Sequence, residues 1–331
     1  MGQQTPTEDT GSLCAALEPA LRDATAGRLG PVSWFRTTWQ RGGAGTGLAE
    51  WSREDGTTLG VVVKLPVGSR EYRWTTDLGR VEPGMWDAEE SRCLPTPRIV
   101  ASGGEVGGYD LAWLVMERFP GKPLSVHMDE AGVLAMLDRA ASLQQRAAGL
   151  RALEDPPPAP DWADLLEQAR SQVKLGSIPD GSKWNDAIRR VQRRLPTLIA
   201  RWGARTCDTW CHGDLHPANA MVRDGASLPG AMALIDLAMV HPGHWIEDAL
   251  YLERCYWGHP ELLCGVKPVP TLARMRKERG LANGSGHAEL ADAKRLLTAA
   301  AAPAMLGREG DLRHLAAALS LIERLLSTGP G

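Results

Sequence analysis

The chain has 331 residues, which is long enough to bury one large hydrophobic core or two moderate ones. Hydrophobic residues make up 43% of it and charged residues 23%, proportions that are typical of globular proteins. The net charge of −3 provides no strong basic field, which argues against nucleic acid or an anionic membrane as the partner.

The N-terminal segment carries no targeting signal that the sequence reveals. The first ten residues, MGQQTPTEDT, lack the basic and apolar regions of a signal peptide. No apolar stretch in the sequence reaches the roughly 20 residues that span a bilayer. We therefore expect a cytoplasmic protein.

The first third of the chain has the alternation and the turn residues of a small sheet. Leu13, Leu17 and Leu21 predict a short helix before it. A helical turn is predicted at 70–78, in the middle of the β-rich part. Strands are predicted at 32–40, 48–53, 60–65, 97–103 and 111–119.

Glycines crowd the tip of the first predicted hairpin, at Gly42–Gly47. They are not spaced as in a dinucleotide-binding loop, and they lie between two strands rather than before a helix, which excludes that fold. A glycine-rich hairpin tip can instead lie over phosphates. Gly43, Gly45 and Gly47 would then allow close approach, and Thr46 would donate a hydroxyl hydrogen; an ordinary turn is the alternative.

Lys64 lies inside the apolar strand GVVVKL. An unpaired buried ammonium is very costly, so this lysine must reach water or find an anion. The phosphates of ATP are such an anion, which makes Lys64 a candidate for binding a nucleotide.

The rest of the chain is mainly helical in its pattern. Helices are predicted at 131–150, 161–175 and 184–203, and again towards the C-terminus. The run PPPAP at 156–160 predicts a stiff extended connector between the first two.

The segments CHGDLHPANAMV and ALIDLA contain the residues that carry chemistry. Asp214 is placed to accept a proton from an attacking hydroxyl. Asn219 and Asp236 offer hard oxygen ligands, which Mg²⁺ prefers, and together the three form a phosphoryl-transfer set. A predicted hairpin of 220–222 with 231–235 would bring them together. The alternative is that Asp214 and Asn219 serve only as turn residues.

At these residues the chain resembles a known family. HGDLHPAN is similar to the HGDxxxxN loop of the aminoglycoside phosphotransferase and choline kinase family, which are small-molecule kinases similar to protein kinases. IDLA stands where protein kinases have Asp-Phe-Gly, and this departure argues against a protein kinase. The resemblance extends over residues 30–265 and is strongest at 211–248.

The resemblance implies a bilobal α+β fold of the protein-kinase type, with ATP between the lobes. A β-rich nucleotide-binding lobe would comprise 1–119, and a mainly helical lobe with the catalytic and acceptor-binding residues would comprise 120–331. The implied cofactors are ATP and Mg²⁺, with Asn219 and Asp236 as the metal ligands and Asp214 as the catalytic base.

The resemblance also implies a partner for the lysine and a hinge for adenine. Lys64 would pair with a glutamate on the next helix; Glu71 is the first choice, and Glu89 and Glu90 remain open. The hinge would be the segment MERF, where the carbonyl of Glu117 and the N–H of Phe119 would bind adenine, unless the segment is a plain strand end.

Two further residues take supporting roles by the same resemblance. Asp248 would be the structural aspartate that holds the HGDLHPAN loop, which is the predicted catalytic loop, and His212 would support that loop.

The favoured acceptor is an aminoglycoside or a similar amine-bearing compound, which would make the protein a factor in antibiotic resistance. Carboxylates and aromatic rings at 239–261 would attract such a cation, unless they belong to an ordinary helix. The residues chosen for this role are Trp245, Glu247, Glu253 and Trp257, with Tyr251, Tyr256 and Glu261 nearby. A metabolic kinase for choline, a sugar or an amino alcohol is the alternative, and a nucleotide-binding regulator without activity is a second one.

Overall fold

The computed structural model describes residues 9–35, 44–176, 178–223, 228–309 and 311–328. The chain divides into two compact units. The first comprises Met1–Val126 and Ala218–Val240, and the second comprises His127–Pro217 and His241–Gly331. This division assigns the hairpin after the catalytic loop to the first unit; the lobe boundary between residues 119 and 120 stays a prediction.

The strands and helices follow the predicted order. The strands are β1 Ser33–Phe35, β2 Gly45–Ser52, β3 Thr58–Leu65, β4 Ile99–Gly103, β5 Trp113–Glu117, β6 Thr209–Cys211, β7 Ala220–Val222, β8 Met232–Leu234 and β9 His241–Gly243. The helices are α1 Asp9–Ala24, α2 Ser69–Gly79, α3 Glu89–Arg92, α4 Glu130–Ala148, α5 Trp162–Lys174, α6 Gly181–Gly203, α7 Ile246–Cys255, α8 Pro268–Glu278, α9 His287–Glu309 and α10 Leu312–Thr328. Short 3-10 turns lie at Leu124–Val126, Pro217–Asn219, Leu237–Met239 and Pro260–Leu263.

An antiparallel five-stranded sheet, in the order β1-β2-β3-β5-β4, forms the first unit with α1 and α2. Successive side chains of a strand point to opposite faces. Val61, Val63 and Leu65 of β3 are fully buried in one core cluster with Leu21 of α1. Each such side chain stabilises the fold by about 1.5–3 kcal/mol. The alternation sends Lys64 to the opposite face of β3.

The predicted glycine-rich hairpin tip is wrong for its second half, which belongs to strand β2. Close packing requires the glycines there. Gly45, Thr46 and Gly47 lie within β2 and pair with β3, not in a hairpin tip. A Cβ on Gly45 would stand 2.3 Å from the Sγ of Cys14, and one on Gly47 would stand 2.3 Å from Cγ1 of Val32. Both glycines therefore let Cys14 of α1 and Val32, directly before β1, pack closely against β2. Gly43 lies outside the described residues.

The predicted hairpin after the catalytic loop is present in the first unit. β7 pairs with β8 in antiparallel register, with Ala220 opposite Leu234. The N–H of Ile235 donates to the carbonyl of Asn219 at 2.9 Å, which extends the pairing by one step. Asp236 therefore follows directly after the end of the hairpin.

Helices α4 to α10 build the second unit, with the short β6–β9 pair beside them. Asp129 begins α4 by accepting a hydrogen bond from the N–H of Gly132 at 2.7 Å, a cap that is worth roughly 1 kcal/mol. Asp161 begins α5 in the same way, with the N–H of Asp164 at 3.0 Å. Within the described part of the chain, no helix is both long and apolar enough to cross a membrane.

Candidate active site

A cavity of about 530 Å³ lies in the first unit, bordered by β2, β3, α2, β5 and the β7–β8 hairpin. It brings together most of the residues that the sequence assigned to the nucleotide and the metal. These are Thr46, Lys64, Glu71, Glu117, Phe119, Asn219 and Asp236. Residues that are up to 190 positions apart in the chain therefore line one space.

Lys64 forms an ion pair with Glu71 across β3 and α2. Both side chains are largely shielded from solvent, with 18% and 11% of their surface exposed. Glu89 and Glu90, the alternatives, are exposed in α3. The pair fixes the ammonium at the cavity wall and offsets part of the cost of taking its charge out of water.

Thr46 lies opposite Lys64 in the β2–β3 register. Its Oγ1 is buried and has no hydrogen-bond partner among the described residues. A buried hydroxyl that lacks a partner costs about 1–3 kcal/mol. A phosphate oxygen in the cavity would supply the missing acceptor, which is the role predicted for this hydroxyl.

The carboxylate of Glu117 is buried in a network and does not face the cavity as a free group. It accepts hydrogen bonds from the backbone N–H of Arg98 at 2.9 Å and from its Nε at 2.7 Å. Nε of Arg223 donates to the same carboxylate at 2.9 Å. The backbone N–H of Glu117 donates to the carbonyl of Arg98 at 2.9 Å. The predicted hinge role would therefore fall to the carbonyl of Glu117, and Phe119 lines the cavity two residues later.

Asn219 and Asp236 lie at the same end of the β7–β8 hairpin. Asp236 has a φ of 63°, an uncommon conformation for a residue other than glycine and one that recurs at functional sites. A carboxylate and an amide oxygen fit Mg²⁺, which usually completes its shell with phosphates and water. No group of three or more His, Cys, Asp or Glu side chains in the described ranges is arranged to hold a metal by itself.

Asp248 holds the catalytic loop from within the second unit. It is fully buried, and its carboxylate accepts the N–H of His212 at 3.1 Å and the N–H of Gly213 at 2.9 Å. Gly213 has a φ of 82°, which a side chain would strain. The N–H of Asp214 donates to Nδ1 of His212 at 3.3 Å. The structure thus places Asp248 and His212 in contact with the backbone of the predicted catalytic loop, in the positions that the resemblance implied.

Two polar side chains surround the carboxylate of Asp214. The hydroxyl of Tyr251 donates a hydrogen bond to it, and Nε2 of His216 lies 3.4 Å from Oδ2. Burial first, and Asp214 second, raise the pKa of Tyr251, so the phenol stays protonated at neutral pH. A carboxylate held by such donors is oriented to accept a proton from a hydroxyl.

A second cavity, of about 250 Å³, lies in the second unit beside this loop. Gly213 and Tyr251, the neighbours of Asp214, line it together with side chains of α5, α7 and α9. Among the predicted acceptor residues, Glu247 and Trp257 line it.

Trp245 is only 1% exposed, and its Nε1 donates to the carbonyl of Asn283 at 2.9 Å. Its ring is packed in the core, so the predicted stacking face is not available in this structure.

The carboxylates of α7 are already neutralised, contrary to the expectation that they face a cation. Glu253 forms two hydrogen bonds with Arg295, at 2.8 and 2.7 Å. Glu247 accepts from Nε of Arg205 at 3.0 Å and from the N–H of His244 at 2.8 Å. Burial raises the pKa of Glu247, but His241, Arg205 and the His244 N–H outweigh it and lower it to about 2.

Comparison with known proteins gives this geometry a family. The profile of the phosphotransferase enzyme family APH matches residues 70–292, which is more than half of the chain. The chain belongs to this family. It is therefore a small-molecule phosphotransferase, and the predicted recognition and enzyme class are confirmed. No curated protein sequence matches the chain.

Solved structures show where the fold of this phosphotransferase recurs. A mutant aminoglycoside 2'-phosphotransferase-IIIa bound to GDP aligns with a TM-score of 0.52 at 12% identity, covering 95% of this chain and 97% of that one. APH(2″)-IIIa with GDP and kanamycin gives 0.50 at 13% identity, covering 97% and 99%. An aminoglycoside phosphotransferase from Alicyclobacillus acidocaldarius gives 0.50 at 13%, covering 91% and 89%. The predicted α+β, protein-kinase-like fold class is confirmed.

The sequence reasoning missed one residue of the phosphotransferase that supports the β7–β8 hairpin. Arg223, directly after β7, is buried and also donates to the carbonyls of Arg92, Leu94 and Thr96 at 3.1, 2.8 and 2.6 Å. It ties the hairpin to β5 through Glu117. A charged residue that closes the apolar run AMV was the available signal.

Tyr251 was predicted only as part of an aromatic wall. Its place three residues after Asp248 on α7 puts both side chains on one helical face, which was a signal for contact with the catalytic loop.

Proposed function

We propose that the enzyme transfers the γ-phosphoryl group of ATP to a hydroxyl group of a small molecule. The observation that carries the proposal is the convergence of Lys64, Glu71, Asn219 and Asp236 on one cavity. Those are a cation, its positioning partner and two oxygen ligands, which is what a polyphosphate and its metal require.

On the nucleotide side, Lys64 would hold phosphate oxygens, and the hydroxyl of Thr46 would donate to one of them. The backbone of Glu117 and Phe119 would bind the adenine. Asn219 and Asp236 would hold Mg²⁺, which neutralises phosphate charge when bound.

On the acceptor side, Asp214 would orient the acceptor hydroxyl and take its proton. The hydroxyl oxygen forms a bond to the γ-phosphorus while the bond from that phosphorus to the β–γ bridging oxygen breaks, and ADP leaves with the electron pair. Tyr251 and His216 keep the carboxylate of Asp214 oriented for this step.

The acceptor favoured by the sequence is an aminoglycoside or a similar amine-bearing compound, and one structural relative carries kanamycin. The ion pairs of Glu247 and Glu253 remove the carboxylates on which the amine preference rested. Choline, a sugar or an amino alcohol is therefore an acceptor to test alongside the aminoglycoside. The role in antibiotic resistance depends on the outcome of that test.

Calorimetry with ATP and with GTP, each with Mg²⁺ and with EDTA, tests the nucleotide half of the proposal. We expect ATP to bind at least ten times more weakly with EDTA, because the phosphates would then lose the metal that Asn219 and Asp236 hold. GTP is included because two relatives were solved with GDP.

Release of ADP, measured by a coupled assay with kanamycin, choline, glucose and glucosamine as acceptors, tests the transfer half of the proposal.

In the calorimetry, equal nucleotide affinity with and without the metal would refute the assigned metal ligands. Nucleotide binding without any transfer would favour the regulator.

A further inference from the structure

The cavity of the second unit has a charged residue that neither the sequence prediction nor the proposed mechanism uses. Lys294 of α9 lines the cavity, as do Gly213 and Tyr251 on the side of the catalytic loop. A group bound near Lys294 would therefore be part of a molecule that reaches Asp214.

Lys294 is held by aromatic rings and not by an acid. Its Nζ lies 4.8 Å from the ring centroid of Trp162 in α5 and 4.9 Å from that of Trp202 in α6. The ammonium makes no hydrogen bond or ion pair with any described residue. Cation–π contacts are worth roughly 0.5–2 kcal/mol each, but they give the three N–H donors no acceptor.

The charges around Lys294 do not offset the burial of its ammonium. Burial lowers the pKa of Lys294, Glu247 raises it, and Arg205 and Arg254 lower it; the result is a pKa of about 8. Glu247 is itself paired with Arg205 and lies near His241.

The other charged side chains of the cavity wall have partners in the described chain. Arg295 is paired with Glu253 and Asp292. Glu247 is paired with Arg205, and Arg254 donates to Sδ of Met305 at 3.7 Å and lies over the ring of Tyr251 at 5.6 Å. Among the charged side chains of this wall, the ammonium of Lys294 is therefore the one without a hydrogen bond or ion pair to a described residue, and it lines the same cavity as the neighbours of Asp214.

We propose that Lys294 binds an oxyanion of the acceptor, so that the substrate is a small hydroxy compound that carries a carboxylate or a phosphate. The inference rests on the proposed function, because it takes this cavity as the acceptor site. A polyamine would bring further positive charge to the ammonium of Lys294, whereas an oxyanion would accept its hydrogen bonds. The volume of about 250 Å³ also falls below the roughly 300–1,000 Å³ of clefts for drug-sized ligands, so a monosaccharide-sized compound fits best.

The first experiment does not depend on knowing the acceptor. Lysine side-chain NMR of the full chain follows the ammonium of Lys294 while acetate or inorganic phosphate is added at constant ionic strength, with chloride as the reference. The Lys294→Met variant assigns the signal. We expect acetate or phosphate to raise the pKa of Lys294 saturably by about one unit, because an anion next to an ammonium favours its charged form. No shift with either anion overturns the proposal.

The second experiment compares matched acceptors on one carbon skeleton: gluconate, glucose 6-phosphate, glucose and glucosamine, each with Mg-ATP. Gluconate and glucose 6-phosphate distinguish a carboxylate from a phosphate. We expect one of the two to bind or react best, and Lys294→Met to weaken it at least tenfold. Lys183→Met removes an exposed lysine of the same unit and serves as the control.

The outcomes separate this inference from the proposed function. One result would refute oxyanion binding by Lys294 and leave the proposed phosphoryl transfer intact. In that result Mg-ATP binds, glucosamine or kanamycin is the best acceptor, and Lys294→Met leaves the KM of that acceptor unchanged. If Mg-ATP does not bind at all, the proposed function itself fails. If Lys294→Met does not fold, the conservative variant Lys294→Arg assigns the signal instead, and the NMR titration of the unmodified chain still decides.

Discussion

Two lysines line the two cavities described above, and their surroundings differ. Lys64 in the first unit is paired with Glu71, whereas Lys294 in the second unit lies between the rings of Trp162 and Trp202 without an ion pair to a described residue. A lysine whose charge is already balanced is held in place before a ligand arrives. A lysine whose charge is not balanced selects the charge of the ligand.

The same contrast extends to the acids of each cavity. In the first unit, Asn219 and Asp236 line the cavity at the end of a hairpin and are the proposed ligands of a metal. In the second, Glu247 and Glu253 are neutralised by arginines. The first cavity therefore suits a metal-bound polyphosphate, and the second suits a small ligand of negative charge.

The largest expected effect tests whether proton transfer belongs to the second cavity. Asp214→Asn should lower kcat by ~10²–10⁴-fold, because the amide cannot take the hydroxyl proton. ATP affinity should stay near normal, since the nucleotide residues lie in the other unit. Steady-state kinetics with the best acceptor of the panel measure the first, and calorimetry measures the second.

Tyr251→Phe is the matched control for that change. It removes one hydrogen bond to Asp214 and keeps the base, so the loss in kcat should be smaller. An Asp214→Asn enzyme that retains more than about a tenth of kcat would show that another group takes the proton. A loss of ATP affinity as large as the loss in rate would point to a structural role.

How much the sequence could predict follows from how far apart the partners lie along the chain. Asn219 and Asp236 belong to one hairpin, so their spacing was enough to group them, and both line the first cavity. The place of Asp214 beside them stays a prediction. Lys64 and Glu71 are joined by a short connection between β3 and α2, and they were also found. Local patterns of this kind survive folding because few other elements intervene.

The rest depended on contacts that no local pattern contains. Lys294 meets Trp162 and Trp202 only because α5, α6 and α9 pack together, and helical periodicity does not say what an inward side chain will touch. Gly45 and Gly47 were assigned to a phosphate loop because the close packing of Cys14 and Val32 against β2 is not visible in the sequence. Trp245 was predicted to stack on the acceptor because its burial in the core is not visible in the sequence either.

A smaller effect separates the two lysines by kinetics. Lys64→Ala should raise the KM for ATP and lower kcat, with a loss of about 10²-fold in kcat/KM for ATP, because a phosphate contact strengthens as charge develops. Lys294→Met should leave the KM for ATP unchanged. Unchanged ATP kinetics in Lys64→Ala would mean that its ammonium serves only the pair with Glu71.

The smallest effect is on stability, and there the two lysines should differ in sign. Burial lowers the pKa of Lys294 to about 8, below the value of 10.5 expected for an ordinary lysine, while Arg205 and Arg254 add to the shift and Glu247 opposes it. Between these two values the unfolded chain binds more protons than the folded one, so stability rises with pH across that range. Protonated Lys294 therefore destabilises the fold below pH 8, and the effect disappears as the pH rises towards 10.5.

Lys294→Met removes this charge and keeps the apolar stem between the two tryptophans. Its Tm at pH 7 should exceed that of the unmodified chain by roughly 1–3 °C, and the difference should shrink towards pH 10. Lys64→Ala, which leaves Glu71 without its partner, should instead lower Tm at pH 7. Differential scanning calorimetry at pH 7 and pH 10 measures both. If Lys294→Met is instead destabilised at pH 7, the contacts of the ammonium with Trp162 and Trp202 outweigh the cost of its buried charge. Lys294 would then stabilise the packing of α9 and would not be a residue held ready for a ligand.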